Sequence, residues 1–455
     1  MGPLREKIYL NKPKYILLLI GLFSTIILDM SFVKIYDIVN KDFINTDMKN
    51  IIFVVNSLSS LSIQLFMIKS VTKFLSQDRF QKINVPFNMF SKLSYLYLVI
   101  ATSIIVTSSY QLFFENNYTK YELICLIIIT YVISLFYLIK LGVLFYSWFN
   151  ITNQKITLLY FISICLILVN LVSSMTIAVI KINDKPDEIR EYVGGTPNFT
   201  LAKYKLLDQM YVYSSILSFI SLWLTSFILA FNYRSKTKRN LIFSILLVLP
   251  LIYFVINYIL NYYYHLLSPY FVLNPIVFSL ILVTIFSLSK PIGGITFGIL
   301  FWRASRAVSY EIDIVSFIII AGVGIMLVFS VNQATIMVTT PYPPFGMATI
   351  SILNLATYLM LIGIYNAAKL VSINNELRKS IYKITLESRI LNIIGEAEKQ
   401  KELEGIIATI YETNSEIQVD RDVKQAPELD EIELKKYIES VISELRTNEK
   451  NFDSN

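Results

Sequence analysis

Residues 123–147 read LICLIIITYVISLFYLIKLGVLFYS, a run of 25 positions with a single charged side chain, Lys140. A helix needs roughly 20 predominantly apolar residues to cross a hydrocarbon core about 30 Å thick. This stretch therefore predicts a membrane-spanning helix. Comparable apolar runs recur on both sides of it, so the stretch is typical of the chain.

The composition extends this prediction to the whole protein. Hydrophobic residues make up 55% of the 455 positions, charged residues make up 16%, and the mean hydropathy is +0.57. Soluble domains carry about 25% charged residues. The composition therefore argues against a set of ordinary soluble domains. It predicts an all-α, polytopic helical membrane protein whose main partner is the lipid bilayer.

Ten apolar runs are long enough to be transmembrane helices. They begin near Tyr15, Ile51, Leu93, Leu123, Ile156, Met210, Leu241, Tyr270, Ile314 and Met347. Cytoplasmic loops carry an excess of Lys and Arg. An inside N-terminus places 21 of these residues in the inner loops and flanking segments and 9 in the outer loops. We therefore expect a multi-pass protein of the cell membrane with both termini in the cytoplasm.

One apolar segment, residues 291–308, departs from this pattern. It is short and contains Pro291, Gly293, Gly294 and Gly298. Such residues favour a kink, and irregular backbone at membrane depth is tolerated only where protein or water surrounds it. We predict a kinked or re-entrant helix. If the segment crosses the membrane instead, there are eleven spans and the C-terminal tail lies outside.

Net charge divides the chain into two parts. Residues 1–372 carry 28 Lys and Arg against 15 Asp and Glu, whereas residues 373–455 carry 12 against 18. We assign the first range to a transmembrane helical domain and the second to a charged, helical cytoplasmic tail. Positive charge beside apolar spans indicates topology and lipid contact, so we expect no nucleic acid partner.

The tail itself contains several predicted elements. Residues 413–427 are a polar linker, and residues 428–446 form an amphipathic helix suited to docking on a cytoplasmic protein. A seven-residue apolar spacing links Leu370, Leu377, Ile384 and Leu391. It predicts one helix from the tenth span to about Gly395, either packed on its own inner loops or paired in a homodimeric coiled coil.

Polar side chains inside the spans are candidates for function, because ionisable groups there are costly. Asp29 is the only acidic residue before position 373 within a predicted span, and Lys140 is the only basic residue well inside one. Lys140 either snorkels to the cytoplasmic surface and pairs there or serves as counter-ion to a ligand or lipid. Asn56, Ser60 and Gln64 form one polar face, which either packs on a neighbouring helix or lines an aqueous path.

A stiff aromatic segment joins the ninth and tenth predicted spans. Asn332 and Gln333 lie near the outer end of the ninth span, and Tyr342 and Phe345 lie in the proline-rich loop that follows. Aromatic side chains at this depth normally anchor a span at the interface. The alternative is an outward-facing binding pocket, in which these four residues contact a ligand.

The chain has little chemistry for catalysis or metal binding. It contains one His and two Cys, Cys125 and Cys165, which fall in separate spans. Structural zinc sites use several Cys or His ligands, and general acid–base catalysis uses His most often. We therefore predict no catalytic residue, no metal and no cofactor, and a protein that is not an enzyme. The two cysteines are predicted to be reduced core residues.

Four segments of the last third carry a family resemblance. They are PIGGITFG at 291–298, NQAT at 332–335, PYPPFGMATIS at 341–351 and ELRKS at 376–380. They are similar to segments of an uncharacterised family of polytopic membrane proteins from ammonia-oxidising archaea. The resemblance implies an archaeal membrane protein with a cytoplasmic helical tail. It transfers no activity and no catalytic residue.

The function that these features favour is a sensor, a signal-transducing protein or a membrane scaffold. The stiff loop outside, the tail helix continuous with a span and the scarcity of catalytic groups all point in that direction. A multi-span transporter or channel is the first alternative, although coupled transport usually uses more buried carboxylates than Asp29. An accessory subunit of a membrane assembly is the second alternative.

Overall fold

Among the residues that it describes, the computed structural model contains ten helices, six further helical positions between 248 and 255, and one two-stranded sheet. The described residues are 13–39, 46–76, 87–184, 187–189, 205–231, six positions between 248 and 255, 290–301, 312–337, 342–373 and 394–405. The helices are α1 Pro13–Val39, α2 Thr46–Leu75, α3 Phe87–Phe114, α4 Lys120–Thr152, α5 Lys155–Asn183, α6 Lys205–Phe231, α7 Lys290–Phe301, α8 Ile312–Met337, α9 Met347–Ile373 and α10, residues 394–405. The strands are β1 Tyr118–Thr119 and β2 Glu188–Ile189.

The predicted class, a helical membrane protein, is confirmed. Seven described helices are long and apolar enough to cross a bilayer: α2, α3, α4, α5, α6, α8 and α9. They coincide with seven of the ten predicted spans. The first predicted span corresponds to α1, whose apolar part covers Ile16–Phe32. The spans predicted from Leu241 and Tyr270 lie mostly outside the described residues, so the total of ten stays a prediction.

The last predicted span, α9, is the centre of the bundle. All residues of its apolar stretch are buried, and 89% of those in α8 are buried. In α2 to α6 only 39–44% of the residues in the apolar stretch are buried. Helix α9 packs against α1, α2, α3, α4 and α8. The partly buried helices expose aliphatic faces, for example at Leu96, Val99 and Val132. Those faces suit lipid contact, while α9 meets protein on all sides.

Glycines set the close spacing of the central helices. A Cβ at Gly324 of α8 would lie 2.5 Å from the backbone nitrogen of Met360, and one at Gly363 of α9 would lie 2.4 Å from that of Ala321. Small residues at such positions let helix backbones approach closely, which is the main way in which helices associate in lipid. The α8–α9 interface is therefore a backbone-to-backbone contact.

The segment predicted to be kinked or re-entrant contains the short helix α7. Residues 290–301 are helical throughout, and 302–308 lie outside the described residues. The 12 described residues of α7 cover about 18 Å, which is less than the thickness of the hydrocarbon core. A Cβ at Gly298 would lie 2.6 Å from the carbonyl oxygen of Gly322 in α8. This glycine serves close packing on α8, a role that the prediction of a kink did not include.

A small polar cap joins the ends of α3, α4 and α5. Strands β1 and β2 pair antiparallel, with Tyr118 opposite Ile189. Lys120 forms an ion pair with Asp187 at 2.7 Å. Burial raises the pKa of the Tyr118 phenol well above its ordinary range, and the nearby Glu122 acts in the same direction. Tyr118 is therefore neutral at physiological pH and packs as an aromatic group.

The chain divides into two units, Met1–Gln400 and Lys401–Asn455. The charge pattern places the boundary at residue 373, so the first unit includes the start of the predicted tail. In the second unit the described residues, 401–405, are helical. The predicted linker at 413–427 and the docking helix at 428–446 lie outside the described residues.

Candidate functional site

Asp29 of α1 caps the N-terminus of the central helix α9. Its Oδ2 accepts hydrogen bonds from the backbone N–H of Thr349 at 2.9 Å and from the Thr349 hydroxyl at 2.7 Å. Gly346, which precedes α9, has a φ of 106° and no side chain with which to cap the helix. A carboxylate at a helix N-terminus is favoured by the unpaired N–H groups and by the helix dipole. Asp29 thus supplies from another helix the cap that the α9 sequence lacks.

The other carboxylate oxygen of Asp29 stands apart from this arrangement. The side chain is 0% exposed, and Oδ1 has no hydrogen-bond partner among the described residues. An unpaired acceptor in a water-poor interior costs free energy, and such groups are common at functional sites. Asp29 therefore caps α9 through one oxygen, while its other oxygen makes no close hydrogen bond among the described residues.

The described part of the proline-rich loop, residues 342–346, packs against neighbouring helices, and its outward orientation stays a prediction. Phe345 is 2% exposed, stacks on Phe32 with ring centroids 4.6 Å apart, and meets the edge of Phe53 at 5.8 Å. Tyr342, which is half-buried, stacks on Tyr118 of the polar cap at 6.4 Å. The loop folds inward because its aromatic rings find apolar partners on α1 and α2, so Phe345 is not available at a surface.

The predicted polar face of α2 is turned towards α9. Gln64 donates through Nε2 to the hydroxyl of Ser351 at 2.8 Å and to that of Ser60 at 3.2 Å. Asn56 donates to the carbonyl oxygen of Thr25 in α1 at 3.3 Å. All three predicted residues are buried. The sequence left open whether this face packs on a neighbouring helix or lines an aqueous path. The observed contacts are those of packing between helices.

Further hydroxyl pairs continue this polar line along α9. The Tyr97 hydroxyl donates to the carbonyl oxygen of Ser351 at 3.1 Å and lies 2.8 Å from the Thr130 hydroxyl. Ser91 and Tyr358 lie 2.9 Å apart through their oxygen atoms. We call the buried set Asp29, Asn56, Ser60, Gln64, Tyr97, Thr349, Ser351, Asn354 and Tyr358 the α9 polar line. It contains unpaired atoms as well, since both polar atoms of the Asn354 side chain and Oε1 of Gln64 lack partners among the described residues.

Two other candidates lie away from the α9 polar line. Lys140 is exposed on the outer face of α4, with Nζ 5.8 Å from the centre of the Phe136 ring, and no described carboxylate pairs with it. This position suits a snorkelling lysine. Asn332 is buried in α8 and donates to Oδ1 of Asn170 at 2.5 Å. The Gln333 side chain lies outside those that the structure describes.

The start of α10 is docked on the membrane helices. We call residues 394–400 the docked segment. Trp148 of α4 donates through Nε1 to Oε2 of Glu398 at 2.7 Å, and both side chains are buried. A Cβ at Gly395 would lie 2.4 Å from Cγ1 of Val371, so the two backbones are in close contact near the end of α9.

This docking corrects the predicted continuous helix. An unbroken helix would separate Val371 from Gly395 by about 36 Å, because each residue advances the chain 1.5 Å. The two residues are instead in contact, so Val371 and Gly395 do not lie on one straight helix. Leu370, the first residue of the predicted seam, is half-buried against the core. Leu377, Ile384 and Leu391 lie outside the described residues, and the homodimer through this seam stays a prediction.

Sequence reasoning missed two of the residues that organise these contacts, Thr349 and Glu398. The contact of Thr349 with Asp29 could not be predicted, because a hydroxyl near the start of a helix can face several directions. Glu398 is one of many acidic residues in the tail, and its pairing with Trp148 has no local signature. Cys125 was expected in the core but is exposed on α4, and Cys165 is half-buried and free. Among the described residues, no group of three or more His, Cys, Asp or Glu side chains is placed to hold a metal ion.

Comparison with known proteins adds no functional assignment. No family model, no curated protein and no solved structure matches the chain. The resemblance to archaeal membrane proteins therefore stays a prediction, and the functional argument rests on the geometry around α9.

Proposed function

We propose that the protein is a signal-transducing integral membrane protein in which α9 transmits changes between the proline-rich loop and the docked segment. One observation carries this proposal: the same buried helix meets Asp29 and the loop at its N-terminal end and the docked segment at its C-terminal end. With 27 residues, α9 is about 40 Å long, which is enough to connect the two sides of a membrane. In the proposed orientation the loop lies outside and the tail lies in the cytoplasm.

The packing around α9 supports transmission by movement of the whole helix. Gly324 and Gly363 hold α8 and α9 in backbone contact, so neither helix can shift without displacing the other. Closely packed interfaces of this kind tend to have discrete alternative arrangements and resist gradual deformation. A change at the loop would therefore reach the far end of α9 as a shift of the helix.

The docked segment is the proposed output. Val371 touches Gly395 near the end of α9, and the Trp148–Glu398 hydrogen bond holds the segment against α4. A shift of α9 moves Val371 relative to Gly395, while the hydrogen bond between Trp148 of α4 and Glu398 stays in place. The expected consequence is release or rearrangement of the docked segment, which alters what the charged tail presents to the cytoplasm.

Hydrogen–deuterium exchange of the full-length protein in nanodiscs tests this proposal. We expect Phe345→Ala to raise exchange of residues 394–400, because it removes the ring that fixes the loop against Phe32 and Phe53. The matched control is Phe114→Ala, whose ring is 73% exposed on α3. Faster exchange confined to residues 342–350, with 394–400 unchanged, would refute transmission through α9.

A second pair of variants tests, in the same exchange assay, whether the contact between Gly395 and Val371 protects the docked segment. Gly395→Val places a side chain against Val371 and should undock the segment directly. Gly405→Val is the control, since a Cβ there meets nothing within 4 Å. If Gly395→Val leaves the exchange of 394–400 at the wild-type level, the docking contact is not what protects the segment and the proposed output is wrong.

A transporter or channel is the second candidate, favoured by the unpaired atoms of the α9 polar line. Oδ1 of Asp29, Oε1 of Gln64 and the Asn354 amide are buried without partners among the described residues. Buried polar atoms of this kind usually bind ordered water, and water beside a carboxylate suits passage of protons. Proteoliposomes with an internal pH-sensitive dye and an imposed potassium diffusion potential test this candidate. Proton uptake that Asp29→Asn abolishes would support it, and uptake no faster than in empty vesicles would exclude it.

A further inference from the structure

Lys290, at the start of α7, is a buried lysine outside the α9 polar line. Its side chain is 4% exposed, Nζ donates a hydrogen bond to the Tyr211 hydroxyl at 2.8 Å, and Nζ lies 4.7 Å from the centre of the Tyr211 ring. An ammonium group has three N–H donors and no acceptor. The hydrogen bond to Tyr211 uses one donor, so two remain for another partner.

The charge of Lys290 has no neutralising partner in the part of the chain that the structure describes. No described carboxylate lies within ion-pair distance of Nζ. The face of an aromatic ring attracts a cation, but by only about 0.5–2 kcal/mol. Removing an ammonium group from water costs several kcal/mol even after the protein relaxes. An anion beside Nζ would offset this cost for the charged form of Lys290, whose described partners are the Tyr211 hydroxyl and ring.

A buried polar network joins α5 and α8 to the backbone of Tyr211, the residue that contacts Lys290. Asn170 of α5 donates to the carbonyl oxygen of Tyr211 at 3.2 Å and to the Ser214 hydroxyl at 3.0 Å, and it accepts a hydrogen bond from Asn332 of α8. Two buried atoms near this network, Oδ1 of Asn332 and the hydroxyl of Ser215, have no partner among the described residues. Ser215 lies one helical turn from Tyr211 on α6, so its hydroxyl can donate on the same side as the Tyr211 side chain.

We propose that Lys290 binds a phosphate group beside Tyr211, where α6 meets α7. Lysine binds phosphate as a compact point charge, and basic positions between membrane helices commonly bind lipid headgroups. Tyr211 orients the ammonium group through its hydroxyl and ring, and Ser215 supplies a further donor. The phosphate comes either from an anionic lipid headgroup or from a free phosphate compound. This site is separate from the proposed action of α9, and either idea can fail without the other.

Thermal unfolding of the full-length protein, purified without anionic lipid, distinguishes the two sources. In the first arm, inorganic phosphate is titrated in detergent against potassium chloride at equal ionic strength. In the second arm, nanodiscs of phosphatidylcholine are compared with nanodiscs that also contain phosphatidylglycerol. A ligand that binds only the folded state raises Tm as its concentration increases. A rise specific to the first arm indicates free phosphate, and a rise specific to the second arm indicates a headgroup.

The variants decide whether Lys290 is the binding residue. We expect Lys290→Met to abolish the rise in Tm in whichever arm shows it, while Lys140→Met, which removes an exposed lysine, keeps the full rise. Tyr211→Phe removes the orienting hydroxyl and should weaken the response several-fold; it also serves as the test if Lys290→Met does not fold. Three outcomes would overturn the proposal. The first is no rise in wild-type Tm in either arm, and the second is an equal rise with potassium chloride. The third is an undiminished rise in both Lys290→Met and Tyr211→Phe.

Discussion

Replacement of Asp29 by alanine tests the cap at the N-terminus of α9. The change removes the oxygen that accepts from the backbone N–H and the hydroxyl of Thr349. Loss of a helix cap costs about 1 kcal/mol, and a buried donor left without a partner costs about 1–3 kcal/mol. These two costs overlap because both concern the N–H of Thr349. We therefore expect the free energy of unfolding to fall by about 2 kcal/mol.

Two companion variants separate the acceptor from the charge. Asp29→Asn keeps a side-chain oxygen in place, so most of the stability should remain. Thr349→Val removes only the hydroxyl bond and should cost about 0.6 kcal/mol, the average for an interhelical hydrogen bond in a membrane protein. Unfolding in mixed micelles with increasing sodium dodecyl sulfate, followed by circular dichroism, gives the free energies. An Asp29→Ala protein within about 0.5 kcal/mol of wild type would refute the capping role.

Three further predictions concern packing, exposure and pH. Gly324→Ala should lower the free energy of unfolding by about 1–3 kcal/mol in the same assay, because its methyl group would lie 2.5 Å from the Met360 nitrogen. Gly142→Ala is the control and should be tolerated, since the nearest contact of its methyl group would be at 3.6 Å. Lys140→Met should cost less than about 1 kcal/mol, since Lys140 is exposed and only approaches Phe136; a much larger loss would reveal a partner that the described residues do not contain. Hydrogen bonds from Lys120 and Tyr121, with the Lys120 charge, hold the pKa of Asp187 below its ordinary range. The stability from this pair is therefore present above the ordinary Asp pKa and lost as the pH falls through the lowered value, and a Tm profile between pH 2 and 6 should show a smaller acid-side loss in Asp187→Asn.

The class of the protein could be predicted from the sequence because hydropathy is a local property. A run such as residues 123–147 must be helical in a bilayer, since only internal hydrogen bonds satisfy its backbone there. The polar face of Asn56, Ser60 and Gln64 was also visible, because helical periodicity places residues four apart on one side. The same pattern could not say whether that face meets water or another helix.

Tertiary structure alone decided which of the described spans is central and where the docked segment lies. Helices α4 and α9 are both apolar, yet α9 is enclosed whereas α4 has an exposed apolar side suited to lipid. The difference arises because the glycines of α8 and α9 allow these two helices to pack backbone against backbone. The seven-residue spacing after Leu370 carries no information on whether one helix runs on as far as Gly395. The contact between Val371 and Gly395 settles that question, since it joins positions that one helix would hold about 36 Å apart. Asp29 and Thr349 likewise meet across 320 residues of sequence, and no local pattern encodes a contact whose free energy exists only once both helices are packed.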